Sequence, residues 1–456
     1  MHSVDPTTES MIRSVLAYAE NRLRLDPVPL DRGSRDPAEL DAALAGLPGA
    51  GPHTPDQVLG VWASVMAPAV ISADSPRFLG FIPAAPTKAS LLFDMLISCA
   101  SIQGISWLEA AGAIHAENKV LRLIADRAGM PETAGGCFVS GGSAGNLSAL
   151  VVAREVAKRK AGPGASGYRS AVAGGGQRGR AFLDHQHAAD LRDGSAGRSV
   201  RGSPADRGGA AGGAGGSRGS GLGGRGRGHV GHHQRGHHRR PGQARPRWPA
   251  STGCGSTWTV PTAGVHCSRR ASGTRYDGIE HADSFIVDPH KWLFAPFDCA
   301  ALLYRNPSVA RSVHKQDASY LDVIHDRPGE WNPTDYAYHL TRRARGLPLW
   351  FSLSVYGVDA YTEAIETAIG LARQAADEIR SRSNLELVRE PSLGVVLFRR
   401  AGWDAAQYTA WADRLLQDQV AFIPPSAWEG ETVARFAFLH PHTSMDLVRE
   451  ILDRMD

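Results

Sequence analysis

Cysteine is scarce in this chain. Five are spread over 456 residues (Cys99, Cys137, Cys254, Cys267 and Cys299) with no CxxC pair, which excludes a disulfide framework and leaves no expected metal site. Long apolar runs are also missing, since none approaches the roughly 20 residues needed to span a bilayer. The opening MHSVDPTTESM has neither the basic nor the apolar region of a secretory signal. An excess of one sign of charge is nearly absent overall: the net charge is +4, and the arginines crowd into the middle. A nucleic-acid surface along the whole molecule is therefore not expected. These absences predict a reduced, soluble, cytoplasmic protein. What is present is a hydrophobic fraction of 42%, enough for a core, and a length that suits roughly 2 to 3 domains or one large α/β domain with appendages.

Apolar spacing predicts helices over 6–25, 56–68, 89–102 and 108–129, with an extended Pro/Asp/Gly-rich connection over 26–55 and an irregular stretch at 75–90. The strand CFVS (137–140) ends at Gly141, and a helix from Ser143 to Arg159 follows. FIVDPHKWLFAPFDCAALLYR (285–305) reads as a buried strand, a lysine and a second strand. A long helix over 347–381 leads to strands at 385–390, 394–400, 420–424 and 434–440 and helices at 404–417 and 443–455. That is a small α+β unit with an antiparallel sheet.

Between about 165 and 275 the patterning collapses. GGAAGGAGGSRGSGLGGRGRGHVGHHQRGHHRRPGQARPRWP (208–249) has no apolar period. At face value it is a disordered arm able to bind RNA, or a metal tract at the histidine pairs 232–233 and 237–238. Codon arithmetic supplies a better account, because a GC-rich gene read out of frame yields Gly, Ala, Arg and Pro. A one-base shift over 227–241 permits VATSGTTNAGIIDDL. A two-base shift over 251–274 permits LHGVWLHVDGAYGG and LLAPSVRH, which run into the in-frame Tyr276, Asp277 and Gly278. Two coherent strings in the right order identify a frame-disrupted middle, with a further insertion or deletion near residue 241.

Two motifs carry chemistry. Lys291, in DPHKW, sits between apolar segments, and a lysine in an apolar pocket has a lowered pKa and suits imine formation. On spacing alone a surface lysine at a strand end is the favoured reading. GGSAGN (141–146) lies at a strand-to-helix junction, where backbone N–H groups and the Ser143 hydroxyl suit a phosphate. A phosphate turn followed by such a lysine is the arrangement of a pyridoxal-phosphate enzyme.

With DPHKW, GGSAGN and the block FLGFIPAAPTKASLLFDMLISCASIQGISW, the chain resembles the group II pyridoxal-phosphate-dependent amino-acid decarboxylases, which include the aromatic amino-acid, histidine and glutamate decarboxylases. The resemblance covers about 70–165 and 276–456 in frame. It implies the aspartate-aminotransferase-like fold (PLP-dependent transferase fold type I): an α/β fold with a mostly parallel, seven-strand central sheet and a small C-terminal α+β domain. The expected divisions are 1–75 as a helical segment wrapping a partner in a homodimer, 76–324 as the large cofactor domain with 165–275 out of frame, disordered or misfolded, and 325–456 as the small domain.

The resemblance further implies the following roles. Lys291 forms the imine with pyridoxal 5'-phosphate. His290, Gly142 and Ser143 hold the phosphate, and Asp288 lies near it where the family often has Asn. Tyr320, in DASYLDV, returns a proton to the carbon that loses CO₂, or is an ordinary loop aromatic. Phe81 and Pro83 line the amino-acid side chain, Trp292 packs against the site, and Cys299 is a small core residue. The implied activity is that of a lyase releasing CO₂ from an L-amino acid. The family's ring-nitrogen carboxylate matches DGAYGG of the shifted frame, and the printed residue at that place is Thr259. Neither His185 nor His187 is assigned as the ring-stacking histidine. Loss of the carboxylate and of the buried middle strands predicts that the printed chain is inactive and poorly folded. The alternatives are an aminotransferase or desulfurase using Arg342, Arg343 or Arg345 for the substrate carboxylate, another pyridoxal-phosphate lyase, or the nucleic-acid or metal-binding arm.

Overall fold

The computed structural model describes residues 2–33, 35–161, 257–260, 278–316, 319–325, 329–391 and 393–455. Most of the stretch expected to be out of frame, with its histidine pairs, lies outside these residues. Local signals set the N-terminal helices. Helix α1 (Pro6–Leu23) opens on Asp5, whose carboxylate accepts from the Thr8 N–H, with Pro6 in the first turn, where a missing N–H costs nothing. Helix α2 (Pro37–Ala43) has the same Asp-Pro opening and corrects the expectation of an unbroken extended connection over 26–55. Helix α3 (Pro55–Val61) starts with a reciprocal Thr54–Gln57 capping box and runs into a π turn at Trp62–Met66. Helices α4 (Lys88–Cys99) and α5 (Trp107–Arg127) fall within a few residues of their predicted bounds.

The first sheet contains β1 (Gly135–Val139), β2 (Thr257–Val260), β3 (Ser284–Val287) and β4 (Ala300–Tyr304), in the order β1-β4-β3-β2. Strand β4 is antiparallel to both β1 and β3, and β2 is parallel to β3. Three of the four strands thus share a direction, but because β4 lies between β1 and β3, only one of the three ladders among the described residues is parallel. Every residue of β3 and β4 is buried, as expected for a sheet covered on both faces. Strand β2 lies within the stretch expected to be disordered or misfolded. Its sequence TWTV is β-branched and aromatic, which favours extended backbone, and it places Thr259 opposite Ile286.

Helix α6 (Gly142–Ala161) follows β1 directly. A Cβ on Gly145 would stand 3.1 Å from the Ile286 side chain, so a glycine there lets α6 lie close over β3. Helix α7 (Pro307–His314) packs on α6. Helix α8 (Leu347–Ser381) matches its predicted span but is interrupted at Gly357, whose φ of 77° and ψ of 161° form a conformation open essentially to glycine alone. Beyond it, β5 (Leu385–Leu387), β6 (Val395–Arg400), β7 (Ser426–Trp428) and β8 (Glu431–Ala437) form a wholly antiparallel sheet in the order β5-β6-β8-β7. Helices α9 (Ala405–Gln417) and α10 (Met445–Asp453) complete this part.

The strand predicted at 420–424 is instead a single parallel bridge between Phe78 and Phe422. Pro424 and Pro425 remove the donors a ladder would need. The bridge ties the irregular 77–79 segment to the second sheet, with the Leu79 N–H donating to the Phe422 carbonyl and the Phe422 N–H to that of Arg77.

A buried ion pair joins α5 to the loop before α8. Arg342 donates to Glu117 Oε1 at 2.7 Å and to the Gly104 carbonyl at 2.7 Å, and the Gly346 N–H donates to the same Glu117 oxygen at 2.8 Å. Glu117→Ala strands the Arg342 charge in the interior and should lower unfolding free energy by about 3–5 kcal/mol. Urea denaturation followed by circular dichroism measures this, and a loss under about 1 kcal/mol contradicts the role given to the pair.

Candidate active site

The chain leaves β3 at Val287 and turns tightly through Asp288 to Lys291, closed by the Lys291 N–H donating to the Asp288 carbonyl at 3.0 Å. The turn brings the two side chains together. Lys291 Nζ donates to Asp288 Oδ2 at 2.7 Å, with the lysine 22% exposed and the carboxylate 4%. The other carboxylate oxygen, Oδ1, is buried and has no hydrogen-bond partner in the structure. This corrects the expectation of a purely apolar pocket for Lys291. The residues after it, Trp292, Leu293, Phe294 and Ala295, are indeed buried in the core, but the nearest polar neighbour is a carboxylate supplied three residues upstream.

Gly142 faces the same carboxylate. A Cβ there would lie 3.1 Å from Asp288 Oδ1 and 3.2 Å from Oδ2. Because Gly142 begins α6, the first N–H groups of a 20-residue helix stand beside the turn, in the geometry that favours an anion. Ser143 follows and is exposed. Gly142, Ser143, Asp288 and Lys291 are thus brought together by one element junction.

His290 is fixed differently. Its N–H donates to the Cys299 carbonyl at 3.2 Å, and the Cys299 N–H donates to His290 Nδ1 at 3.1 Å. Nδ1 as acceptor leaves the ring proton on Nε2. Burial is the main cause that holds the histidine below its ordinary pKa, with the Lys291 charge acting in the same direction against the nearby carboxylate, so the ring is neutral at pH 7. The Phe297 ring lies 5.2 Å from it. Cys299 is 1% exposed within the core, as expected, and burial raises its thiol pKa well above the usual value.

Trp292 is 3% exposed and packs rather than projects. It shares a cavity of about 10 Å³ with Ile82, Pro83, Gly394 and Phe438, room for little more than one water. Pro83 therefore lies in the layer directly behind the lysine turn. Phe81 is 59% exposed, with its ring 5.7 Å from that of Phe422. Tyr320 belongs to a 3-10 turn at Ser319–Leu321, and its side chain lies outside the described residues, as does that of Thr259.

Contacts with no sequence signature complete the site. The Thr87 N–H and the Ser90 hydroxyl both donate to the Phe294 carbonyl at 3.1 Å, clamping the start of α4 onto the lysine turn. The arginines kept for a substrate carboxylate are already engaged: Arg342 with Glu117 at 2.7 Å, Arg343 with Asp94 at 2.9 Å and Arg345 with Asp298 at 2.8 Å. Among the described residues, no group of three or more His, Cys, Asp or Glu side chains is placed to hold a metal, and no helix is long and apolar enough to cross a membrane.

Comparison with known proteins agrees with this fold. The chain is 27% identical over 372 residues to an aromatic-L-amino-acid decarboxylase of Bacillus atrophaeus, a match covering 72% of this chain and 68% of the relative. It is 25% identical to that of Cavia porcellus, covering 88% and 86%. A 39% identical match to that of Drosophila simulans spans 24% of the relative's length. The fold superposes on Oryza sativa TDC crystallised with PLP and tryptamine (TM-score 0.70, 19% identity, 99% of each chain) and on Catharanthus roseus tryptophan decarboxylase in complex with L-tryptophan (0.70, 16%, 100% of this chain and 98% of that one). The model of the pyridoxal-dependent decarboxylase conserved domain matches residues 41–170 and 262–401, and the chain belongs to that family.

Proposed function

We propose that Lys291 is the amine on which this chain holds pyridoxal 5'-phosphate, and that the L-amino acid it decarboxylates carries an aromatic side chain. The observation that carries the reading is the junction of the lysine turn with the start of α6, where Gly142 leaves room against Asp288. The residues present fit the cofactor at its phosphate and aldehyde ends. Backbone N–H groups of α6, the Ser143 hydroxyl and the Nε2–H of neutral His290 are donors suited to a phosphate, and Lys291 is an amine beside them.

When bound, pyridoxal phosphate supplies an electron sink for the pair released as the carboxylate leaves. The chain's own residues do the rest. Lys291 would hold the aldehyde end of the cofactor, with Asp288 beside its Nζ. Trp292 and Pro83 pack a rigid wall behind the turn, Phe81 offers an apolar face to the substrate side chain, and Tyr320 returns a proton to the carbon vacated by CO₂. The names of the relatives support the aromatic choice, as does the cluster of Phe78, Phe81 and Phe422. The engagement of Arg342, Arg343 and Arg345 by carboxylates speaks against a substrate-binding arginine and hence against the aminotransferase reading.

We read the division into 1–75, 76–324 and 325–456 as the domain plan, with 1–75 covering a second copy of the chain. Met11, Ile12, Val15 and Leu16 on α1 are 42–53% exposed, an apolar stripe suited to burial in a homodimer. Sedimentation should give twice the 48.7 kDa chain mass, and a single-chain mass at micromolar concentration contradicts this. Cys99, Cys137 and Cys299 are free thiols, which supports a cytoplasmic setting; recovery of the chain in a secreted fraction argues against it.

Borohydride reduction of the full chain with pyridoxal phosphate, followed by peptide mapping, should label Lys291; a label on any other lysine rejects the assignment. Release of carboxyl-labelled CO₂ from aromatic L-amino acids should be at least about 100-fold slower than for a frame-repaired version. Thr259 cannot supply the ring-nitrogen carboxylate, and one lost preorganised contact costs about 10²–10³ in rate. Equal turnover by the two overturns the frame account. Gly142→Ala crowds the Asp288 carboxylate and should weaken cofactor affinity roughly tenfold, about 1.4 kcal/mol, read by equilibrium titration.

A further inference from the structure

We propose that Asp288 is the proton acceptor for Lys291, taking the ammonium proton as the amine condenses with the cofactor aldehyde. The inference rests on the reading of Lys291 as the cofactor amine and adds a role for its neighbour. An ammonium has no lone pair to offer an aldehyde, so a base must remove a proton first. Asp288 Oδ2 is already 2.7 Å from Nζ, in direct contact and shielded from bulk water, so no relay is needed.

The second oxygen gives the proton a further use. Oδ1 is buried, partnerless and turned toward Gly142 at the start of α6. A phosphate bound at that helix end would stand beside a carboxylate, and two anions in contact repel. A carboxylic acid there donates a hydrogen bond instead. One proton transfer thus frees the amine and removes the repulsion against the phosphate.

Among the described residues the charged and titratable surroundings are few. On the same turn are Lys291 and the neutral His290. From the loop before β4 come Asp298, held by Arg345 at 2.8 Å, and the Cys299 thiol, which burial keeps protonated. The first turn of α6 carries no acidic residue.

The step balances. The proton passes from Nζ to Oδ2, and the freed lone pair bonds to the aldehyde carbon. The aldehyde oxygen leaves as water with the two hydrogens remaining on Nζ, and a C=N bond replaces C=O. The third ammonium proton stays on Asp288, and nothing is oxidised or reduced.

The test follows uptake of pyridoxal phosphate by the full chain through the absorbance of the lysine-bound chromophore, across the near-neutral pH range. With Asp288 in place, the rate should vary by less than about threefold. In Asp288→Asn, solvent must take the proton from the ammonium in place of the carboxylate, so the rate should climb about tenfold per pH unit. Equal slopes in the two proteins overturn the proposal. Circular dichroism checks that the variant folds. If it does not, Asp288→Ala with added acetate replaces it: restoration of uptake in proportion to acetate supports a carboxylate acceptor, and no rescue refutes it. Lys291→Ala separates the two claims. If that variant still forms the chromophore on another lysine, the assignment of Lys291 itself fails, whatever Asp288 does.

Discussion

A buried carboxylate with a single cationic partner is the constraint on which the site depends. Asp288 is 4% exposed and, among the described residues, its carboxylate pairs with Lys291, and stranding an ion in the interior costs several kcal/mol. The lysine is therefore held toward the turn rather than left to sample solvent. The surrounding structure keeps that turn in one place. The two His290–Cys299 contacts, one between backbones and one onto the imidazole Nδ1, tie it to the entry of β4, the Thr87 and Ser90 donors tie its far end to α4, and Gly142 allows α6 to close over it. Each contact uses a group the turn would otherwise leave unpaired, so rigidity and hydrogen-bond satisfaction come from the same atoms.

The strands flanking Lys291 were legible because a sheet covered on both faces writes its strands as continuous apolar runs, and FIV and AALLY are such runs. The start of α6 was legible from its glycines, whose need is visible in space: a Cβ at 142 meets Asp288 and one at 145 meets Ile286. Other features could not be read. The His290–Cys299 contact spans nine residues with no periodic signal, and the clamp of α4 on Phe294 joins residues 204 apart. Residues 420–424 misled because an apolar run resembles a strand until the two prolines after it are counted as missing donors. Helix α2 is hidden by the Pro, Asp and Gly content of 26–55, although Pro37 behind Asp36 marks a first turn. The ion pair of Lys291 was overlooked since the apolar residues after the lysine are real, while the carboxylate that decides its surroundings sits three positions before it.

The stretch between the two blocks matched by the family model contains one described strand, and its register matters more than its length. β2 runs parallel to β3 with Thr259 opposite Ile286, two residues before the turn to Lys291 begins at Asp288. Backbone pairing of this kind is indifferent to the side chain it carries, because the ladder is made by N–H and C=O groups alone. A four-residue run of Thr, Trp, Thr and Val can therefore occupy a strand slot whatever frame produced it, provided its residues tolerate extended backbone. Catalysis lacks that tolerance. A protonated ring nitrogen needs a carboxylate at one position, and a hydroxyl cannot carry the compensating charge.

Scaffold and chemistry therefore separate in this chain. In the proposed reading, the aldehyde and phosphate ends of the site draw on residues on both sides of the stretch between the two matched blocks: Gly142 and Ser143 before it, Asp288, His290 and Lys291 after it. The same reading puts the ring end at Thr259, within that stretch. Holding a cofactor requires only the first set, since an imine bond and a phosphate cradle are enough to retain it. Drawing electrons into the ring requires the second. On that proposed reading, a chain with Thr259 in place of the ring-nitrogen carboxylate would retain pyridoxal phosphate better than it could use it.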